Sequence, residues 1–204
     1  LTMGPMQAES MMRDAYTMGA DEAVILSDRK FAGADVLSTS YTLCQGIQVL
    51  GGADLIICGR QTTDGDTAQV GAETAEFLGI AHGANILEVL ETGDTFVTVR
   101  MNLENKIQTQ KMELPCLLTV DKDVNTPRLP SYKKRIGMDP GCIKVMGLDD
   151  LEDRDSGHYG LKGSPTQVER IFPPDKKTDK EIMEGTGREL AQAMAAVLRK
   201  HKFI

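Results

Sequence analysis

The 204-residue sequence contains no tryptophan, and aromatic residues make up only 4% of it. This scarcity argues against a surface that stacks nucleic acid bases, because such surfaces depend on aromatic side chains. Positive charge is also in the minority, since 23 Lys and Arg stand against 30 Asp and Glu for a formal net charge of −7. A nucleic-acid-binding face normally carries a basic stripe, so this class of protein is not favoured.

The sequence also shows no sign of a membrane segment, a disulfide framework or a metal site. No apolar run approaches the roughly 18 residues needed to cross a bilayer, and no signal peptide begins at Leu1. The four cysteines, Cys44, Cys58, Cys116 and Cys142, show no CxxC pairing, and the three histidines are far apart. Neither a disulfide framework nor a metal site is indicated. We therefore expect a cytoplasmic protein of one domain, or of one domain with an arm.

Short apolar runs alternate with helical patterns in the first eighty residues. The runs at 23–26 and 55–58 are typical of parallel strands covered on both faces. Helical spacing predicts helices over 6–18, 35–50 and 67–78, each followed by glycine. This alternation predicts βαβ units, and hence an α/β fold with an open, Rossmann-like, mostly parallel sheet and helices on both faces.

The residues after Gly79 have a different pattern. Alternating apolar residues over 86–90 and 95–101 predict a hairpin, and 114–120 predicts another strand, interrupted by Pro115.

The C-terminal part is irregular until its last helix. We predict a surface loop over 125–140, an extended stretch over 168–172 and a final helix over 178–200. This organisation predicts an α/β domain over 1–150 and a C-terminal arm with a helix over 151–204. We expect the arm to pack on a partner, with docking on its own chain as the alternative.

The turn after the 55–58 strand has the composition of a phosphate-binding loop. Ligands of open α/β sheets bind at the carboxyl ends of strands, where a phosphate can contact the free N–H groups of the next helix. Gly59 and Gly65 give the backbone conformational freedom, Thr63 and Thr67 supply hydroxyl groups, and Arg60 supplies a cation. Arg60 lies near a diphosphate in this interpretation and is an ordinary surface arginine in the alternative.

The carboxylates of Asp64 and Asp66 in the same loop need another role, because they repel phosphate. Asp66 and Gln69 have the spacing of a capping box, which predicts that the helix begins at Thr67. A capped helix start without any ligand is the alternative, since a glycine-rich turn is weak evidence by itself.

The sequence 54–61, running into 64–71, resembles the nucleotide loop of electron transfer flavoprotein beta subunits. Residues 15–21, 114–121 and 125–128 match further segments of that family in the same order. The resemblance covers almost the whole chain and implies a fold of the adenine nucleotide alpha hydrolase type. It also implies a further strand, loop and helix before Leu1, because Leu1 to Pro5 looks like the end of a strand and its turn.

The resemblance implies a subunit that works in a heterodimer. The partner alpha subunit carries one FAD, and the beta subunit binds AMP or, in the electron-bifurcating branch, a second FAD. The cofactor-binding residues implied by position are Met3, Gly59, Arg60, Gln61, Thr62, Thr63, Asp64, Gly65, Asp66, Thr67, Ala68, Gln69 and Val70.

Several residues resemble the bifurcating branch. Ala68 and Val70 stand where common AMP-binding members carry Asn and Thr, and the segment 160–166 also resembles that branch. In that branch NADH reduces the beta-subunit FAD. One electron then passes to ferredoxin or flavodoxin, and the other passes through the alpha-subunit FAD to a dehydrogenase. The alternatives are a non-bifurcating subunit with structural AMP that serves acyl-CoA dehydrogenases, and an adenine-nucleotide-sensing α/β protein.

The resemblance is incomplete at two places. Residues 103–108 match the family only in part. Relatives dock on acyl-CoA or other flavin dehydrogenases through a leucine anchor, and alignment puts Tyr132 at that position here. Leu129 is the alternative anchor.

Overall fold

The computed structural model describes residues 1–63, 65, 67–173 and 182–203. The chain divides into two compact units, Leu1–Gln167 and Val168–Ile204. The strands are β1 Thr2–Met3, β2 Ala23–Leu26, β3 Leu55–Gly59, β4 Ala81–Thr92, β5 Phe96–Leu103, β6 Lys106–Glu113, β7 Cys116–Val120 and β8 Ile143–Met146. The α-helices are α1 Glu9–Met18, α2 Val36–Val49, α3 Val70–Leu78, α4 Tyr132–Ile136, α5 Gly160–Gly163 and α6 Gly187–Lys200.

The strands of the first unit form two open sheets. One sheet is parallel and has the order β1-β2-β8. The other has the order β3-β7-β4-β5-β6, with parallel pairing from β3 to β4 and antiparallel pairing from β4 to β6. The α/β class with open sheets is therefore confirmed, although the described strands form two sheets where we predicted one.

The prediction that 55–58 is a strand covered on both faces is wrong in one respect. β3 is a strand, but it lies at the edge of its sheet, and the side chain of Ile57 is 58% exposed. By contrast, all four residues of β2 are buried, because β2 lies between β1 and β8. An apolar run indicates a strand, whereas its burial depends on which elements pack beside it.

The first two helices agree with prediction, and the third begins later than predicted. α1 ends at Gly19, which has a φ of +131°. α2 begins after Asp35, whose carboxylate accepts a hydrogen bond of 3.1 Å from the Ser38 backbone N–H. α3 begins at Val70 instead of Thr67, because Ala68 has a φ of +55°, which is not a helical conformation.

Several elements in the second half of the chain differ from prediction. The hairpin of β4 and β5 is present, but β6 and β8 were not predicted, because β6 is largely polar and β8 is only four residues long. The predicted loop 125–140 contains α4, which Ser131 caps by accepting a hydrogen bond from Lys134 N. Residues 168–172 form no strand.

The final helix is shorter than predicted. It begins at Gly187 and ends at Lys200, and Thr186 and Glu189 form a capping box at its start. Residues 174–181, which include the predicted helix start at 178, lie outside the described residues.

Two negative findings concern the described residues alone. None of their helices combines the length and the apolar character that a bilayer crossing requires. Their His, Cys, Asp and Glu side chains form no group of three that could hold a metal ion.

The segment after β8 is attached to α2 through the carboxylate of Asp153. Tyr41 Oη donates a hydrogen bond of 2.7 Å to Asp153 Oδ2, and His158 Nδ1 lies 2.5 Å from the same oxygen. The Asp153 N–H donates to Gln45 Oε1, and Tyr159 Oη donates to the Asp153 carbonyl. These bonds hold the buried Tyr159 ring in the core, where it packs against Phe31 at a centroid distance of 5.5 Å.

The same hydrogen bonds shift two acid–base equilibria in opposite directions. The hydroxyl of Tyr41 and the ring of His158 lower the pKa of Asp153 to about 2. The hydrogen bond to Asp153, followed by its charge, raises the pKa of His158 above the ordinary histidine value. The contribution of protonated His158 to stability is therefore complete below about pH 6.5 and is lost as the pH rises through its raised pKa.

Asp153→Asn is expected to lower the pKa of His158 toward about 6.5, because the variant removes the negative charge beside the ring. The titration of His158 by NMR in both proteins measures this change. His82 is the internal control: burial lowers its pKa, and the variant is expected to leave that pKa unchanged. An equal pKa of His158 in the two proteins would contradict the assigned pair.

Candidate functional site

The predicted nucleotide loop leaves the sheet at the carboxyl ends of two neighbouring parallel strands. β3 ends at Gly59, which is paired with Val120 at the end of β7. The Arg60 N–H then donates a hydrogen bond of 2.9 Å to the Val120 carbonyl, so the ladder continues one residue beyond β3. The loop therefore begins where ligands of parallel α/β sheets bind.

The described residues of the loop are open to solvent. Residues 59–63, 65 and 67–69 are all exposed. Apart from the chain neighbours of each glycine, no heavy atom of the described residues lies within 4 Å of a Cβ built on Gly59 or Gly65, so these residues leave the backbone open to a ligand at both positions. The predicted site residues Gln61, Thr62, Thr63 and Thr67 are all accessible, whereas Asp64 and Asp66 lie outside the described residues.

The predicted helix start at Thr67 is wrong, because α3 begins three residues later at Val70. Asp66 of the predicted capping box lies outside the described residues. The N-cap residue is Gln69, and its side chain makes no capping hydrogen bond. The Val70 carbonyl instead accepts hydrogen bonds from Thr74 Oγ1 at 2.7 Å and from Ser40 Oγ of α2 at 3.3 Å. The start of α3 is thus held by hydroxyl groups on two helices. Its first N–H groups have no partner within the helix and are suited to an anion.

Arg60 is paired with a carboxylate at the end of β7. Its Nη1 donates a hydrogen bond of 3.1 Å to Asp121 Oδ2, and this bond lowers the pKa of Asp121. The Asp121 N–H donates to the Ile86 carbonyl, which fixes the carboxylate relative to the sheet. Sequence reasoning identified the cation but missed its partner, because the two residues meet only through the pairing of β3 with β7.

Met3 belongs to the other sheet. It is the last residue of β1, lies opposite Leu26 and is half-buried. It packs against the core cluster that contains Leu26, Phe31 and Tyr159. Met3 thus occupies the carboxyl end of a parallel strand, as the loop does, and its assignment to the cofactor stays a prediction.

The segment 160–166 is shaped by packing against the start of α2. Gly160 has a φ of +55°, and a Cβ there would lie 2.2 Å from the Lys30 carbonyl oxygen. A Cβ on Gly163 would lie 2.2 Å from the His158 carbonyl oxygen. Thr166 donates two hydrogen bonds to Asp35 Oδ2, from its backbone N–H and its hydroxyl. Gly160 and Gly163 are therefore required, because a side chain at either position would collide with the neighbouring backbone.

The two predicted docking residues lie in a segment that is fixed to α1: Leu129 precedes α4, and Tyr132 is the first residue of α4. The Ser131 N–H donates a hydrogen bond of 2.9 Å to the Thr17 carbonyl, and Lys134 Nζ donates to the Ala20 carbonyl at 3.2 Å. The side chains of Leu129 and Tyr132 are nevertheless 88% and 77% exposed. Both are available to a partner.

Comparison with known proteins identifies the family. The model of the electron transfer flavoprotein domain matches residues 1–146. The whole chain is 40% identical to the electron transfer flavoprotein subunit beta of Clostridium acetobutylicum and covers 78% of that protein. The chain belongs to the electron transfer flavoprotein family. The resemblance to its beta subunits, predicted from the loop and the order of the other matching segments, is confirmed.

Two further relatives of this electron transfer flavoprotein chain have names that mention a reductase. The whole chain is 38% identical to subunit CarD of the caffeyl-CoA reductase-Etf complex of Acetobacterium woodii and covers 78% of it. Over 98% of its length, the chain is 36% identical to the acryloyl-CoA reductase electron transfer subunit gamma of Anaerotignum propionicum, of which it covers 78%.

Proposed function

We propose that the chain is the beta subunit of an electron-bifurcating electron transfer flavoprotein. It binds FAD at the loop Gly59 to Val70, with Met3 near the adenine, and pairs with an alpha subunit that carries the second FAD. The heterodimer passes electrons from NADH to ferredoxin or flavodoxin and, through the alpha-subunit FAD, to a dehydrogenase. Bound FAD supplies the redox chemistry, and the residues of the chain bind and orient it.

The observation that carries the FAD site is the exposed, glycine-containing loop between the ends of β3 and β7 and the start of α3. A diphosphate is anionic, and the positive end of the dipole of α3 favours an anion at that position. Arg60 adds a cation that the Asp121 carboxylate holds at the base of the loop. The open space around Gly59 and Gly65 leaves room for the diphosphate to approach the backbone.

The names of two relatives support a partner of the CoA-reductase class. CarD is named as a subunit of a caffeyl-CoA reductase-Etf complex, and the Anaerotignum propionicum protein as an electron transfer subunit of acryloyl-CoA reductase. We therefore propose a flavin dehydrogenase or reductase that acts on acyl-CoA compounds as the electron-accepting partner.

The cofactor content of the purified heterodimer tests the proposal. We expect about two FAD per heterodimer, because the loop binds one FAD and the alpha subunit binds the other. Extraction of the cofactors and their separation by chromatography measures the ratio. One FAD with one AMP would contradict bifurcation and favour the AMP-binding alternative, whereas no flavin would favour the nucleotide sensor. NADH-dependent reduction of ferredoxin, dependent on a second acceptor of higher potential, then tests the electron route.

Arg60→Gln is expected to weaken FAD binding at the beta-subunit site about tenfold, the loss that corresponds to one charge-assisted hydrogen bond to phosphate. Titration of the FAD-depleted heterodimer by calorimetry measures the dissociation constant. Arg100→Gln is the matched control, because Arg100 forms a comparable exposed ion pair with Glu88 on the β4–β5 hairpin. Equal affinity in the Arg60→Gln protein and the wild type would contradict the role of Arg60.

Tyr132→Ala and Leu129→Ala distinguish the two candidate docking anchors. Loss of the true anchor is expected to raise the dissociation constant for the dehydrogenase about tenfold or more, since a few buried side chains dominate most interfaces. Surface plasmon resonance measures the affinity, and FAD content is expected to remain unchanged. Ile107→Ala on β6 removes another exposed side chain and is the control. If neither Tyr132→Ala nor Leu129→Ala weakens binding, this segment is not the docking site.

A further inference from the structure

A cavity of about 400 Å³ lies between the first turn of α2 and the segment 157–163. It shares no residue with the loop Gly59 to Val70. The side chains that line it come from α2, from the end of α3 and from the segment near α5, and they are Leu37, Ser38, Tyr41, Phe77, His158 and Lys162.

The cavity has an apolar wall and a basic wall. Tyr41 and Phe77 pack edge to face at a centroid distance of 5.4 Å, and Leu37 continues this wall. His158 and Lys162 form the basic wall. A hydrogen bond between His158 Nδ1 and the Asp153 carboxylate fixes the His158 ring. Lys162 forms no ion pair within the described part of the chain.

A buried hydroxyl in the wall has no partner. Ser38 is only 1% exposed, and its Oγ makes no hydrogen bond to any of the described residues. Its backbone N–H is occupied, since it donates to Asp35 Oδ1. Buried hydroxyl groups are almost always hydrogen-bonded, so an unpaired one in the wall of a cavity indicates that a ligand atom can supply the acceptor.

The nearby carboxylates are engaged by other donors, and neither of them lines the cavity. Asp153 accepts hydrogen bonds from Tyr41 and His158. Asp35 accepts from the Ser38 N–H and twice from Thr166. Among the described residues, neither carboxylate pairs with Lys162, so its ammonium group is available to a ligand.

We propose that this cavity binds a small molecule that carries a phosphate or carboxylate group on an aromatic or apolar body. The Ser38 hydroxyl and the Lys162 ammonium contact the anionic group, with His158 beside them. The rings of Tyr41 and Phe77 contact the body. The proposal goes beyond the FAD site and does not depend on it.

Titration of the full chain, saturated with FAD or AMP, with phenyl phosphate tests the proposal by NMR. We expect phenyl phosphate to bind more tightly than inorganic phosphate, because only the former has a ring for Tyr41 and Phe77. Lys162→Gln is expected to raise its dissociation constant about tenfold. Lys133→Gln, which removes an exposed lysine of α4, is the matched control and is expected to leave the constant unchanged.

Ser38→Ala separates binding from stability. Its Oγ makes no hydrogen bond within the described chain, so the variant is expected to keep the thermal unfolding midpoint of the wild type while it binds phenyl phosphate several-fold more weakly. Wild-type affinity in both the Ser38→Ala and the Lys162→Gln protein would overturn the proposal. Equal affinity for phenyl phosphate and inorganic phosphate would overturn the role of the aromatic wall. Arg60→Gln is expected to leave phenyl phosphate binding unchanged, so failure of the FAD site and failure of this cavity are distinguishable.

Discussion

The close approach of α3 to β7 is the constraint on which the candidate nucleotide site depends. A Cβ on Gly71 would lie 2.3 Å from Thr119 Cγ2, so only glycine lets the first turn of α3 rest on the strand at this distance. The neighbouring Val70 carbonyl is bound by Ser40 of α2, which connects α3 to the helix that follows β2 of the other sheet. The start of α3 is consequently held from two sides, while the loop before it remains exposed. A fixed helix start next to an accessible loop is the arrangement that an anionic cofactor requires.

A second polar centre joins α2 to the chain that follows β8. Asp153 binds Tyr41, His158 and, through its backbone, Gln45 and Tyr159, so one carboxylate joins α2 to the chain that follows β8. The same bonds position His158 in the wall of the cavity near the start of α2. The fold therefore offers two candidate anion sites, an open loop before α3 and a cavity beside α2 that is lined by aromatic and basic side chains.

Local sequence patterns predicted those helices and strands whose formation depends on their own residues. The strand Ala23–Leu26 and the helix after Asp35 agree with prediction, because a continuous apolar run and an N-cap residue can each be recognised from adjacent residues. Two of the differences depend on contacts between distant residues. Ile57 is exposed because of where β3 lies in its sheet, and β6 is a strand because it pairs with β5 in spite of its polar sequence. The late start of α3 follows from the positive φ of Ala68, which helix periodicity does not report.

The sequence by itself determined the family, the α/β class and the position of the loop after the 55–58 strand, because these depend on residue types in a particular order along the chain. The tertiary structure decided which groups meet. It paired Arg60 with Asp121, placed Leu129 and Tyr132 in a segment held by α1, and brought Ser38, His158 and Lys162 to one cavity. These residues are separated by 61 positions in the Arg60–Asp121 pair and by more than a hundred in the cavity. Their contacts arise from strand pairing and helix packing, which local sequence patterns do not encode.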